Sequence, residues 1–256
     1  MPIEIDLTFF LIGIPAVMLA GISKGGFGSG ASFVAAPLMA LILPPEMALG
    51  ILMPLLLLID AATLRPYWRR WDARQSRLLL LGAVPGVGLG VLFWRIADPE
   101  MLRLLIGVIA VGYVVFQVVQ ILRPPRTVRA APAPLGILAG CASAFTSFVS
   151  HAGGPVAAVY LLSQGLSKTG YQATTVLVFG AVNVAKTIAY AFLGAITAQS
   201  LLAGLYLVPA AVLGAWLGVV AHRAIPERAF FLVTYALLLA AGSKLIFDAL
   251  SPGVSS

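Results

Sequence analysis

The sequence contains very little charge for its length, and this scarcity sets the class of protein. Of 256 residues, 10% are Asp, Glu, Lys or Arg, whereas 61% are hydrophobic and the mean hydropathy is +1.03. A soluble domain of this size needs far more charge to cover its surface. The chain is therefore predicted to be an all-α polytopic membrane protein that has the lipid bilayer as its surroundings.

Other scarce residues exclude further classes. Cys141 is the only cysteine, so an intrachain disulfide is impossible and a packing role is expected. The few acids and histidines have no metal-ligand spacing, and Ser29 is not in a Gly-x-Ser-x-Gly frame. We therefore expect no metal and no other cofactor. The formal charge of +7 does not indicate nucleic-acid binding, because most basic residues fall between apolar runs.

What the sequence has in abundance is apolar runs near the roughly 20 residues that span a bilayer. Ten runs are separated by polar gaps, and the second and seventh are short. They cover 7–22, 27–43, 47–64, 78–96, 101–122, 134–150, 153–166, 171–193, 199–221 and 229–250. A basic, proline-rich linker at 123–133 separates a first transmembrane repeat at 1–122 from a second at 134–256.

The two halves resemble each other in the order of their motifs. The stretch 33–41 echoes 155–163, and Pro85 recurs as Pro209, at a shift of about 125 residues. Arginines in the gap after the third run and in the linker place both segments in the cytoplasm. If each half crosses five times, the basic cluster at 222–228 also lies inside. Charge bias therefore favours inverted repeats of four to five membrane segments each.

Two glycine-rich interruptions occupy matching places in the two halves. The first break is Lys24-Gly-Gly-Phe-Gly-Ser-Gly30, and the second break is Ser147-Phe-Val-Ser-His-Ala-Gly-Gly-Pro155. Backbone without helical hydrogen bonds at membrane depth must be satisfied by protein or water, and the helix ends there suit an anion. Glycines that merely allow close helix packing are the alternative. Two breaks in equivalent positions favour a binding site between broken or re-entrant helices.

Each break carries an ionisable side chain. A lysine inside an apolar segment costs about 2.5 kcal/mol or more on insertion scales, so Lys24 is expected to be paired, to face water or to be used. Snorkelling to an interface is the simpler alternative for Lys24. His151 can carry a proton, or it can be a hydrogen-bonded packing residue.

A polar stripe in the eighth run supplies a second candidate cation. Residues at i, i+3, i+4 and i+7 share one helix face, which should point into the bundle. These residues are Asn183, Lys186, Thr187 and Tyr190. Lys186 lies mid-span, and Asp60 is the only acid inside a predicted span apart from Asp248 near the end of the last run. A buried Asp60–Lys186 pair and a substrate-binding Lys186 are both consistent with this pattern.

Lys244 and Asp248 are four residues apart near the end of the last run. This spacing predicts a local ion pair on one helix.

Taken in order, these motifs resemble the TauE/SafE sulfite exporter family. The resemblance rests on the first break, Ala-Ala-Pro-Leu at 35–38, the Leu-Pro-Pro stretch within 41–48, Gly-Gly-Pro at 153–155, and Asn183. It covers nearly the whole chain, including the organisation in two halves. The resemblance implies transport of sulfur-containing anions, such as sulfite or organosulfonates like sulfoacetate, across the bacterial inner membrane.

We therefore expect an exporter of small sulfur-containing anions that works by alternating access. The predicted substrate-binding residues are Lys24, Gly25, Gly26, Gly28, Ser29, Ser147, His151, Gly153, Gly154, Asn183 and Lys186. His151 and Asp60 are candidate proton carriers. The expected partners are the anion and the bilayer, with no nucleic acid and no specified oligomeric state. A passive anion channel and a membrane-embedded enzyme that uses His151 are the alternatives.

Overall fold

A computed structural model describes residues 5–27, 32–122, 130–221 and 227–251, and its regular structure over these ranges is entirely helical. The α-helices are α1 (Leu7–Ile22), α2 (Ala35–Ala40), α3 (Pro45–Leu64), α4 (Ala73–Ile96), α5 (Pro99–Leu122), α6 (Ala133–Ser150), α7 (Gly153–Leu162), α8 (Lys168–Phe192), α9 (Ala198–Ala221) and α10 (Glu227–Leu250). A π-helical turn, Ser23–Phe27, follows α1. Short 3-10 turns, Ser32–Val34 and Arg65–Tyr67, precede α2 and follow α3.

Eight helices in these ranges are long and apolar enough to cross a membrane, four before the linker and four after it. The prediction of an all-α, multi-pass membrane protein is therefore confirmed. The short second and seventh runs contain α2, with six residues, and α7, with ten. At a rise of about 1.5 Å per residue, neither helix reaches across a bilayer on its own.

Polar residues at the helix ends explain where several spans begin. Asp6 caps α1 by accepting the Phe9 N–H at 2.8 Å, and this backbone hydrogen bond lowers the pKa of the Asp6 carboxyl. Asp72 caps α4 in the same way, by accepting from the Gln75 N–H. Ser167 caps α8 by accepting from the Gly170 N–H at 3.1 Å. These side chains satisfy donors that a helix start leaves unpaired.

The helices of the two halves pack against each other reciprocally. α1 and the π-helical turn lie along α9, α6 lies along α4, and α5 lies along α10. Glycines bring the backbones together: a Cβ on Gly25 would lie 2.6 Å from the Ala215 carbonyl oxygen, and one on Gly214 would lie 2.7 Å from the Met18 carbonyl oxygen. This is the small-residue packing expected of membrane helices.

Helices α3 and α8 contact each other, and each also contacts a further helix of the other half, α9 for α3 and α4 for α8. α3 is buried along most of its length, and its apolar residues form much of the main core with α1, α2 and α9. The polar residues of α3 and α8 therefore meet inside the protein. Inversion of the two halves stays a prediction, and the basic cluster at 222–228 lies outside the side chains that the structure describes.

Candidate functional site

The first polar cluster is built around the carboxylate of Asp60 on α3. Lys24, on the π-helical turn, forms an ion pair with Asp60 Oδ1, and Asn183 Nδ2 on α8 donates to Asp60 Oδ2 at 2.6 Å. All three residues are buried. A buried ion pair is tolerated only when its remaining polar atoms also have partners, and Asn183 supplies one here. Lys24 is therefore a paired lysine that joins the first break to α3.

The second polar cluster surrounds Lys186 on α8, which is 0% exposed. Its Nζ lies 2.8 Å from His151 Nδ1 and 3.1 Å from Ser147 Oγ, and both residues belong to the second break. Asn183 Oδ1 lies at 3.5 Å. Among the described side chains, no carboxylate oxygen is within ion-pair distance of Lys186 Nζ. The structure thus pairs Asp60 with Lys24, and the Asp60–Lys186 pair, one of the two alternatives for Lys186, does not form.

Asn183 connects the two clusters. Its amide nitrogen donates to Asp60, while its amide oxygen faces Lys186. Because Asn183 and Lys186 are three residues apart on α8, they share one helix face, as the stripe predicted. Thr187, also in that stripe, instead donates to the Asn183 carbonyl of its own helix.

His151 fixes the geometry of the second break. It ends α6 in the left-handed conformation, with φ 56° and ψ 15°, which allows the chain to turn before α7 begins at Gly153. Its ring reaches α3, where Nε2 lies 3.2 Å from the Leu49 carbonyl oxygen. Left-handed backbone is uncommon for residues other than glycine and is frequent at helix C-termini. The second break is thus a turn with a defined backbone conformation, and it directs the imidazole of His151 toward α3.

A small cavity lies between the two breaks. It is lined by Lys24, Ser32, Leu56, Ser147, His151, Gly154, Phe179 and Asn183, and its volume is approximately 10 Å³. A second cavity of the same volume lies on the Thr63 and Gln172 side of the Lys24–Asp60 pair. Each volume is about what a single water molecule needs. The two polar clusters therefore enclose space for only about one water molecule in each cavity.

Several predicted residues come together, and others lie elsewhere. Lys24, Ser147, His151, Gly154 and Asn183 line one cavity, with Lys186 bonded to two of them. Gly25 and Gly26 face the backbone of α9. They therefore have the alternative role considered for these glycines, which is to allow close helix packing. Gly153 is packed under Ser143, whose Oγ donates to the Gly153 carbonyl. Gly28 and Ser29 lie outside the described residues.

Sequence reasoning missed Gln172 and Ser32. Gln172 Nε2 donates to the Lys24 carbonyl oxygen at 2.9 Å, so it supports the backbone of the π-helical turn. A signal for it existed, because Gln172 and Thr175 continue the Asn183–Lys186 face toward the start of α8. Ser32 is buried directly after the first break and lines the cavity with Lys24.

A much larger groove lies away from this site. Helices α5, α6 and α7 border about 770 Å³ of space, lined almost wholly by apolar side chains such as Phe116, Leu138 and Val159. An anion needs hydrogen-bond donors or positive charge. This lining has no charged side chain, and hydroxyls such as those of Thr146 and Tyr160 already donate to Ala142 and Gln75. The groove is therefore not a candidate site for an anion.

The fold and the site define a polytopic helical membrane protein with a buried polar centre that contains Lys24, Asp60 and Lys186. The family described as Sulfite exporter TauE/SafE matches residues 13–245. The chain belongs to this family, as its motifs predicted, and the family implies a membrane transporter of sulfur anions. Neither the curated proteins nor the solved structures contained a match to this chain.

Proposed function

We propose that this protein exports small sulfur oxyanions and organosulfonates, such as sulfite and sulfoacetate, across the bacterial inner membrane. Lys186 supplies the positive charge that holds the anion. Ser147 and the N–H groups at the start of α7 supply hydrogen bonds, and Asn183 orients Lys186. The family supports the substrate class, because it comprises sulfite exporters.

The observation that carries the proposal is the state of Lys186. It is fully buried at membrane depth, and only neutral groups lie within hydrogen-bond distance of its Nζ among the described residues. A buried charge without a counter-charge is costly. The other buried lysine, Lys24, already has Asp60. A bound anion would give Lys186 its missing counter-charge, so the site favours anions over cations and neutral molecules.

The closed cavity supports alternating access over a continuous pore. A sulfite ion is larger than the single water molecule for which the cavity has space. Entry therefore requires the elements around the cavity to separate. The reciprocal packing of α1 on α9 and α6 on α4 provides two matched interfaces along which the halves can rock.

The test is flux into proteoliposomes that contain the purified protein, with radiolabelled sulfite and sulfoacetate as separate probes. We expect flux that saturates with concentration and is at least 10-fold lower in Lys186→Met, because the charge that binds the anion is lost. Lys244→Met is the matched control: Lys244 is in α10, is 58% exposed and pairs with Asp248 at 2.8 Å, as its spacing predicted.

Flux that rises linearly with concentration would identify a passive channel instead. Wild-type flux in Lys186→Met would show that the anion binds elsewhere. Turnover of a lipid or peptide that depends on His151, without flux, would favour the membrane-embedded enzyme.

A further inference from the structure

The contacts of His151 determine where its proton lies. A backbone carbonyl oxygen can only accept a hydrogen bond, so Nε2, 3.2 Å from the Leu49 carbonyl oxygen, carries the ring proton. Nδ1 then holds a lone pair. Lys186, which the proposed function takes as a cation, donates to this lone pair from Nζ, 2.8 Å away. His151 is thus a neutral base whose free nitrogen is covered by the cation that is proposed to bind the anion.

The other ionisable groups around His151 already have partners. Asp60, on α3, accepts from Lys24 and Asn183, and Lys24 on the π-helical turn is held in that ion pair. On α8, Tyr190 lies with its ring 6.2 Å from the imidazole, and its hydroxyl donates to the Phe148 carbonyl. His151 Nδ1 is therefore the one described basic atom in the centre whose only hydrogen bond comes from Lys186.

We propose that His151 Nδ1 is a proton-binding site, and that the protein carries a proton together with the anion. This inference rests on the proposed function, because it requires the anion to draw Lys186 away. When the ammonium group turns its N–H donors to the anion, the Nδ1 lone pair becomes free. The negative charge of the anion also offsets the charge of a second cation. A hydronium ion from the solvent then transfers a proton to Nδ1: the Nδ1–H bond forms, one O–H bond breaks, and a water molecule is released.

The two ligands consequently favour each other. Two cations as close as Lys186 and a protonated His151 repel strongly in a buried site, so the empty centre holds one of these two protons. The centre that contains the anion holds both. Because binding linkage is reciprocal, anion binding takes up a proton and acid pH tightens anion binding. Both carboxylate oxygens of Asp60, the other predicted proton carrier, already have donors, Lys24 and Asn183.

The experiment measures proton uptake during anion binding. Sulfoacetate is titrated into the purified protein by calorimetry at neutral pH, in two buffers that differ in their enthalpy of ionisation. Sulfoacetate is the probe because both of its acid groups stay ionised in this range, whereas sulfite itself takes up protons. For the wild type we expect about one proton bound per anion, and a Kd that decreases as the pH is lowered.

His151→Asn is the informative variant. Asparagine tolerates left-handed backbone and places an amide oxygen near the position of Nδ1, so it can still accept from Lys186 but cannot bind a proton. We expect it to bind sulfoacetate without proton uptake and with a Kd that does not change with pH. Ser147→Ala is the control, since it removes the other Lys186 contact at 3.1 Å but no titratable group. It should weaken binding and keep the proton uptake.

The possible outcomes distinguish the inference about His151 from the proposed export function. Sulfoacetate binding to the wild type without proton uptake would overturn this inference and leave the proposed function standing, and this measurement needs no variant. Full proton uptake in folded His151→Asn would also overturn it. If neither sulfoacetate binding nor saturable flux is found, the proposed function is wrong and the inference falls with it.

Discussion

The buried ion pair between Lys24 and Asp60 gives a stability prediction that can be worked from the structure. Replacing Lys24 by methionine keeps the length of the side chain but leaves a buried carboxylate whose remaining described partner is Asn183. Replacing Asp60 by asparagine leaves a buried ammonium group. Breaking a buried pair from one side typically costs about 3–5 kcal/mol, because an uncompensated charge remains. Each single variant should therefore be strongly destabilised.

The double variant separates the pair from its surroundings. Lys24→Met with Asp60→Asn removes both charges, so its loss should be well below the sum of the two single losses. The difference, the coupling energy, should be several kcal/mol. Lys244 and Asp248 provide a matched cycle in the same protein, because Lys244 is exposed and the pair lies within one helix. For such a pair the coupling energy is about 0.3–0.5 kcal/mol.

Thermal unfolding in mild detergent measures both cycles. For a chain of this size, a loss of 3–5 kcal/mol corresponds to a decrease in Tm on the order of 10 °C. Each single variant at Lys24 or Asp60 should show this decrease, and the double variant should recover part of it. A coupling energy for the buried pair that is no larger than that of the Lys244–Asp248 pair would refute the reasoning. Lys24 would then face water rather than Asp60.

Two further variants probe how the first break is held. Gly25→Ala should destabilise the protein by about 1–3 kcal/mol, because its Cβ would lie 2.6 Å from the Ala215 carbonyl oxygen, whereas Gly88→Ala, with no atom within 4 Å, should not. Unfolding in detergent checks both, and equal stability would contradict the packing of this break on α9. Gln172→Leu should weaken sulfoacetate binding, because the Lys24 carbonyl loses its donor and the π-helical turn shifts. Gln117→Leu, which removes hydrogen bonds to Tyr113 and Tyr235, two residues that do not line the cavity, should leave the Kd unchanged. An unchanged Kd for Gln172→Leu would contradict the prediction.

The membrane-spanning helices could be predicted from the sequence, because the length of an apolar run is close to the length of the helix that contains it. The run 7–22 coincides with α1, and the run 101–122 is extended by only two residues at the start of α5. Helices α4 and α8 begin earlier than their apolar runs, since capping residues and polar first turns belong to a helix but not to its hydrophobic stretch.

The extent of α2 and α7 was not predictable in the same way. The run 27–43 contains a π-helical residue, undescribed residues, a 3-10 turn and six α-helical residues, and all of them are similarly apolar or small. Hydropathy does not distinguish these backbone conformations. They are set by the close approach of α9 and by hydrogen bonds from Gln172 and Tyr67 to the turn. These partners lie far away in the sequence.

Most residues of the two polar clusters could be predicted from the sequence, but the choice of lysine that pairs with Asp60 could not. Helical spacing placed Asn183 and Lys186 on one face, and scarcity of charge singled out Asp60. The choice of Lys24 as the partner of Asp60 depends on where the π-helical turn carries that lysine, which no local pattern encodes. Because Asp60 is paired with Lys24, Lys186 is instead hydrogen-bonded to Ser147 and His151 of the second break. The proposed function rests on this arrangement.

The position of the bound anion tests the central claim most directly. Selenite has nearly the shape of sulfite, and its selenium scatters X-rays anomalously, so crystals grown with selenite would locate the ion. The account predicts an anomalous peak between Lys186 and Ser147, with oxygens about 2.7–3.2 Å from Lys186 Nζ. A peak elsewhere, with Lys186 still hydrogen-bonded to His151 and Ser147, would contradict it.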